Sequence, residues 1–373
     1  MVREGFGRPL GNCPRMSLLQ FTQELMMIPS VSRDRERCHE ALDRVIAQVG
    51  ELNGLFRHDF EHQGFRSVIF STRPQRATGL VLNAHLDVVP GDAGLFQPQC
   101  REGRLWGRGS YDMKGAAAVY VQIVRDLAAM PQEARPSVQV QFVTDEEIGG
   151  HRGAEQLVPQ GWVGDFVLVG EPTDLHICHA AKGVYWITLH QSGRPGHAAM
   201  PWQTDNPLVA LQRGLETILQ RYPPPGEASW QTTVTPTGLL ADSSHNRVPD
   251  SALLRLDIRR IPEHSVDALR KELEECFPTA RLEVVQDSYA HHADPQHPWC
   301  QRLADMQQQQ LGQRPRFYRE HFASDARYWT HAGHLAICWG PAGANMHADD
   351  EYLEIDSLER YHQLVSQVLK WFE

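Results

Sequence analysis

Leu80-Val81-Leu82-Asn83-Ala84-His85-Leu86-Asp87 and Gly107-Arg108-Gly109-Ser110-Tyr111-Asp112-Met113-Lys114-Gly115 are the two phrases on which the reading of this chain turns. The first begins as a short apolar run bounded by turn residues, which predicts a buried strand over residues 80–84. That strand delivers His85 at its end. Strand side chains repeat every two residues, so Asp87 points the same way as His85 if the extended geometry continues. A carboxylate beside an imidazole suits a metal ligand, because it fixes the tautomer and makes the ring more basic. Taken alone, the pair also describes a strand-end histidine held by a neighbouring acid. The second phrase sets an aspartate and a lysine between glycines, directly before a predicted helix over residues 116–127. Asp112 therefore sits in a loop that feeds a helix N-terminus.

Two more strands end in the same way. A predicted strand over residues 138–144 runs into Asp145-Glu146-Glu147-Ile148-Gly149-Gly150. Three consecutive acids at a strand end repel one another, so either a cation holds them or they form a solvated loop. A third buried strand, residues 166–169, ends at Gly170-Glu171-Pro172-Thr173. Three strands thus deliver a His or a carboxylate at the carboxyl end, which is where open α/β sheets bind ligands.

Composition narrows the class. A chain of 373 residues with 41% hydrophobic and 22% charged residues is an ordinary soluble globular protein, and its length favours two domains. The formal net charge of −10 disfavours a nucleic-acid partner, which needs a basic face. Seven scattered cysteines without a C-x-x-C pair argue against a zinc knuckle or a disulfide framework, and fit a reducing cytoplasm. No apolar run approaches membrane-spanning length, so no membrane partner is expected. Residues 1–15 lack the apolar core of a signal peptide and read as a disordered extension, with Met16 an alternative start.

Helices are expected over residues 17–27 and 33–49, and a strand over 66–71. After Glu171 the pattern changes. A strand at 184–189, a helix at 207–219, strands at 232–235 and 252–259, a helix at 266–276 and a strand at 281–285 give the ferredoxin-like β-α-β-β-α-β order. This reads as an insertion over residues 182–291. The chain then resumes with a glutamine-rich helix over 299–310, read as solvated surface. A helix start follows in 322–327, with Ser324 or Asp325 as its cap, then a strand over 335–339 and a closing helix over 357–372.

Six phrases in order carry a resemblance: H-x-D-x-V-P (His85 to Pro90), G-R-G-x-x-D-M-K-G (Gly107 to Gly115), D-E-E-x-G (Asp145 to Gly149), G-E-P-T (Gly170 to Thr173), G-x-x-G-H-x-A-x-P (Gly193 to Pro201) and G-P…H-x-x-D-E (Gly340 to Glu351). Together they closely resemble the acetylornithine deacetylase and succinyl-diaminopimelate desuccinylase family of dinuclear metallohydrolases, which has carboxypeptidase and dipeptidase relatives. The resemblance implies an α/β fold. Its catalytic domain, residues 16–181 and 292–373, would be a mixed sheet flanked by helices, and the inserted ferredoxin-like α+β domain, 182–291, would serve dimerisation or act as a lid. It implies that His85 and Glu171 hold one divalent metal, that Glu147 and His347 hold a second, and that Asp112 bridges them. It further implies that Asp87 orients His85, that Glu146 is the general base, and that the Asp112–Met113 peptide is cis. His197 would donate to the oxyanion across a homodimer interface. Asn246 and Arg259 would grip a substrate carboxylate, and Ser324 and Asp325 would lie in a substrate-side loop.

The residue types agree with that chemistry. His and carboxylate ligands suit zinc, with cobalt or manganese as alternatives. Bidentate pairing with a carboxylate suits Arg259. The expectation is a cytoplasmic, zinc-dependent amidohydrolase that removes an acetyl or succinyl group from an N-acyl amino acid. A carboxypeptidase or dipeptidase acting on short peptides is the alternative within the class, and a non-catalytic metal-binding protein the alternative outside it. Two departures from the family pattern stand out: Ala84 before His85, where glycine is common, and the loop from Gly340 to Met346, which lacks the usual second glycine after Pro341.

Overall fold

The computed structural model describes residues 17–242 and 244–373; the extension expected over residues 1–15 and the status of Met16 lie outside the described residues. A nine-stranded mixed sheet organises most of the chain. Its order is Phe56–His62, Phe65–Ser71, Val138–Val143, Thr78–His85, Gly164–Val169, Ala336–Cys338, Ile177–Ala181 and His291–His292, with Phe317–Glu320 also pairing with Ile177–Ala181. Thr78–His85 lies inside the sheet, parallel to Val138–Val143 on one side and to Gly164–Val169 on the other. Ala336–Cys338 runs parallel to Gly164–Val169 in turn. Four consecutive strands therefore end on the same edge.

Alternation explains why the sheet is buried on both faces. Leu80, Leu82 and Ala84 enter one apolar cluster with side chains from Leu18–Met26, Arg35–Val49, Gly115–Ala129, Pro298–Leu311 and Ile355–Leu369. Val81 points the other way, into a cluster with Val167, Val169, Cys338 and Trp329. A strand covered on both faces has no solvent side to encode, so it reads as a continuous apolar run. Each fully buried leucine contributes roughly 1.5–3 kcal/mol of burial free energy.

A second, four-stranded antiparallel sheet has the order Thr233–Leu240, Ser251–Arg260, Gly183–Ser192, Arg281–Asp287. Helices Pro207–Arg221 and Val266–Cys276 cover one face of it, and Leu211, Ile218, Leu254, Leu256, Leu269 and Leu273 form its own apolar cluster. The strand order is that of a ferredoxin-like unit. Among the described residues, no helix is long and apolar enough to cross a membrane.

Several expectations change. Phe56–His62 is a strand not expected from the sequence, paired with Phe65–Ser71 around Gln63-Gly64, both at positive φ. A two-residue loop with both φ positive is a hairpin signature that Gln-Gly only half announces. Helices start after their caps: the Ser17 side chain accepts from Gln20 N and that of Asp34 from Arg37 N, which takes both residues out of the helix. The glutamine-rich helix is not wholly solvated. Gln307 is buried, donating to Leu175 O at 2.8 Å and accepting from Trp339 Nε1 at 3.1 Å. The helix Ala326–His331 follows Asp325, but no side-chain cap bond forms there.

Candidate metal centre

Three of these strand ends and two loops converge. His85 closes its strand, and Glu146 and Glu147 lie on the short 3-10 turn after Val138–Val143. Glu171 follows Gly164–Val169 by one glycine. Asp112 comes from the loop before Gly115–Ala129, where the Asp112–Met113 peptide is cis. His347 comes from the loop after Gly343–Ala344 and holds a φ of 66°.

Asp112 sits between two imidazoles. Its Oδ1 is 3.0 Å from His85 Nε2 and its Oδ2 is 3.0 Å from His347 Nε2. Glu171 Oε2 lies 3.9 Å from His85 Nε2, and Glu147 Oε2 lies 3.1 Å from His347 Nε2. Two clusters result, each able to hold an ion: His85 with Glu146 and Glu171, and Asp112 with Glu147 and His347.

The charges are poorly matched without a cation. Burial, then Asp112, pushes the Glu147 carboxyl up, and burial pushes Glu171 well above the usual range with Asp112 adding to it. Burial and the nearby Glu171 and Asp325 do the same to Glu146. Burial also opposes ionisation of Asp112, but hydrogen bonds with His347 and His85 outweigh it and hold that carboxyl low. The same contacts with Asp112 and Glu147 lift His347 to about 10. Among the described residues, Glu147 Oε1 is buried with no hydrogen-bond partner. Crowded carboxylates, two imidazoles and an orphaned buried oxygen are the donor set that divalent ions stabilise, so the residues fit a pair of metals.

Supporting contacts explain the geometry. His85 Nδ1 donates to the Asp87 carbonyl at 2.9 Å, while the Asp87 carboxylate stands 3.6 Å away. That carboxylate accepts from Glu146 N and Glu147 N, each at 3.1 Å, and from Ser32 Oγ at 2.7 Å, so Asp87 holds the acidic turn in place. Two residues gained no role from the sequence although both lie inside its motifs. Glu351, fully buried, accepts from Tyr111 N and Asp112 N and pairs with Arg108. Arg108 also donates to the carbonyls of His347 and Ala348.

The acids open on a cavity of about 550 Å³, whose walls include Arg33, Trp186, Arg259, Phe322 and Arg327. Arg259 lies on the four-stranded sheet, with its Nε and Nη2 at 2.8 and 3.1 Å from the Asp257 carboxylate. His197 and Asn246 do not line this cavity. Both are exposed, His197 on the short Gly196–His197 and Arg247–Val248 ladder and Asn246 directly before it, where His197 Nδ1 accepts from Ala199 N and Asn246 O accepts from Ala198 N. Ser324 and Asp325 do not line it either, which corrects the expected assignment. Ser324 is buried against Cys338 Sγ at 3.0 Å. Asp325 is packed so tightly on Gly150 that a Cβ there would stand 2.2 Å from its Oδ1. The loop reaches the cavity instead through Phe322, Ala323 and Arg327.

A family model described as peptidase family M20/M25/M40 matches residues 81–371. A succinyl-diaminopimelate desuccinylase of Xylella fastidiosa is 27% identical over 94% of this chain and 98% of its own length. One from Stenotrophomonas maltophilia is 28% identical over 95% and 99%. An M20 family metallo-carboxypeptidase from Sulfolobus solfataricus superposes with a TM-score of 0.77 at 17% identity, covering 96% of this chain and 99% of its own, and so shares the fold. A match across more than half of the chain, on the ordered motifs that build this centre, means that the chain belongs to peptidase family M20/M25/M40.

Proposed function

We propose that this chain is a metal-dependent amidohydrolase that removes an acetyl or succinyl group from an N-acyl amino acid. The observation that carries the reading is Asp112, which shares its two oxygens between the His85 and His347 sides of one acidic cavity beside Glu146. His85, Glu171, Glu147 and His347 would hold two divalent ions, zinc by donor type, with Asp112 between them. Bound there, the ions supply Lewis-acid polarisation of the scissile carbonyl and a lowered pKa for the attacking water. Glu146 takes the proton from that water and passes it to the leaving amine nitrogen. Burial, then the nearby Glu171, raises its carboxyl. Arg259 would bind the α-carboxylate of the substrate.

The desuccinylase relatives support an acyl-amino-acid substrate. The carboxypeptidase neighbour favours a second reading, hydrolysis of short peptides in the same cleft. A screen of N-acetyl and N-succinyl amino acids against dipeptides tests both. The expected result is amine release from N-acyl amino acids, abolished by chelation and restored by zinc or cobalt. Full activity in thoroughly demetallated protein overturns the metal-dependent reading.

The four-stranded sheet has two edge strands, and edges are usually paired or covered. A two-fold homodimer built on this unit would cover one of them, and it would carry His197 into the partner's cleft to donate to the oxyanion.

A further inference from the structure

Arg33 sits in a tight turn tied to the metal centre. Asp34 N donates to Val31 O at 2.7 Å, closing the turn, and Ser32 N donates to Val88 O at 3.3 Å. Ser32 Oγ donates at 2.7 Å to the same Asp87 carboxylate that holds Glu146 and Glu147. The backbone of this turn is therefore anchored to the turn that bears the acids. Its one long side chain, Arg33, is exposed and lines the cavity.

The three cavity arginines differ in what balances them. Arg259 is matched by Asp257. Arg327 is buried, 3.8 Å from both Glu146 Oε1 and Asp325 Oδ1. Among the described residues, no hydrogen bond or ion pair engages the Arg33 guanidinium. The acids on the cavity floor do not offset it, since bound cations would take up their charge. A planar guanidinium on a fixed turn, beside the reacting centre and without a partner, is suited to pair bidentately with a carboxylate.

We propose that Arg33 is a specificity-determining residue that binds a second carboxylate of the substrate, distinct from the α-carboxylate assigned to Arg259. The proposal rests on the amidohydrolase reading. That second carboxylate has two chemical sources, the free end of a dicarboxylic acyl group or the side chain of an acidic amino acid.

Two matched pairs separate these sources: N-succinyl-L-alanine against N-butyryl-L-alanine, and N-acetyl-L-glutamate against N-acetyl-L-glutamine. For each pair, the ratio of kcat/KM is measured in the zinc-loaded wild type, Arg33→Met and Arg33→Lys. A charge-assisted hydrogen bond at an accessible site predicts a preference for the dicarboxylate of about tenfold or more in one pair. Arg33→Met is expected to bring that ratio close to one, with the loss in KM. Arg33→Lys should retain part of it, and rising salt should erode it in the wild type. The pair that responds identifies the source. A variant that only disturbed the fold would lower both members of a pair alike. No preference in either pair in the wild type, or a ratio unchanged in Arg33→Met, overturns the proposal. Hydrolysis of none of the four compounds would count against the amidohydrolase reading alone. Calorimetric binding of the same compounds then decides the role of Arg33: tighter binding of a dicarboxylate that is lost in Arg33→Met supports it, and equal binding overturns it.

Discussion

Arg108 and Glu351, far apart in the chain, form a buried ion pair with Arg108 Nη1 2.6 Å from Glu351 Oε2. The pair fastens two loops. Glu351 Oε1 accepts from Asp112 N at 3.2 Å on one loop, and Arg108 Nη2 donates to His347 O at 3.0 Å on the other. One buried pair therefore holds the backbones of both Asp112 and His347.

Glu351→Gln leaves the Arg108 guanidinium buried without its counter-charge. Breaking a buried pair by removing one partner costs about 3–5 kcal/mol. The expected outcome is a loss of that order in urea-monitored stability, together with weaker metal retention. A variant as stable as wild type, with full metal content, would show that the contact does not hold the loops.

Glu146→Gln keeps the size of the side chain and removes the base. Turnover should fall at least about 10²-fold while both metals stay bound, as read by elemental analysis of the purified variant. Metal loss in this variant, with turnover recovered on refilling, would mean that the roles of Glu146 and Glu147 are exchanged.

His291 is buried with neither ring nitrogen partnered among the described residues, and burial holds its pKa down at about 3, with His179 and His292 adding to the effect. The unfolded chain restores a pKa near 6.5. Between those values the unfolded state binds a proton that the native state does not, so stability falls as pH drops below about 6.5. The slope is up to about 1.4 kcal/mol per pH unit for one group. His291→Phe should flatten this part of the pH–stability curve between pH 6.5 and pH 5. Parallel curves for variant and wild type would assign the acid sensitivity to other groups.

The proposed homodimer makes a complementation prediction. His197→Ala and Glu146→Gln chains, each inactive alone, should regain activity when mixed under conditions that allow subunit exchange, because the mixed dimer assembles one intact site. No recovery after verified exchange, or full activity in a strictly monomeric wild type, would place every functional group within one chain.

Local pattern made much of this protein legible. The run Leu80 to Ala84 announces a doubly covered strand because both of its faces are buried, and the resemblance points to His85, Asp112, Glu147, Glu171 and His347 because each ends or follows a strand or loop with a recognisable phrase. The helix from Val266 to Cys276 is visible for the same reason, since an apolar stripe at helical spacing is local information. What the tertiary structure decided is pairing at long range. Nothing in the spacing of Asp87 says that its carboxylate holds the backbone of Glu146 and Glu147 and leaves His85 to its carbonyl. The Arg108–Glu351 contact, the burial of Ser324 and Asp325, and the place of Arg33 on the cavity wall are likewise outcomes of packing. Hydrogen bonds and burial are settled by which segments meet in space, and segments hundreds of residues apart carry no local periodicity that records the meeting.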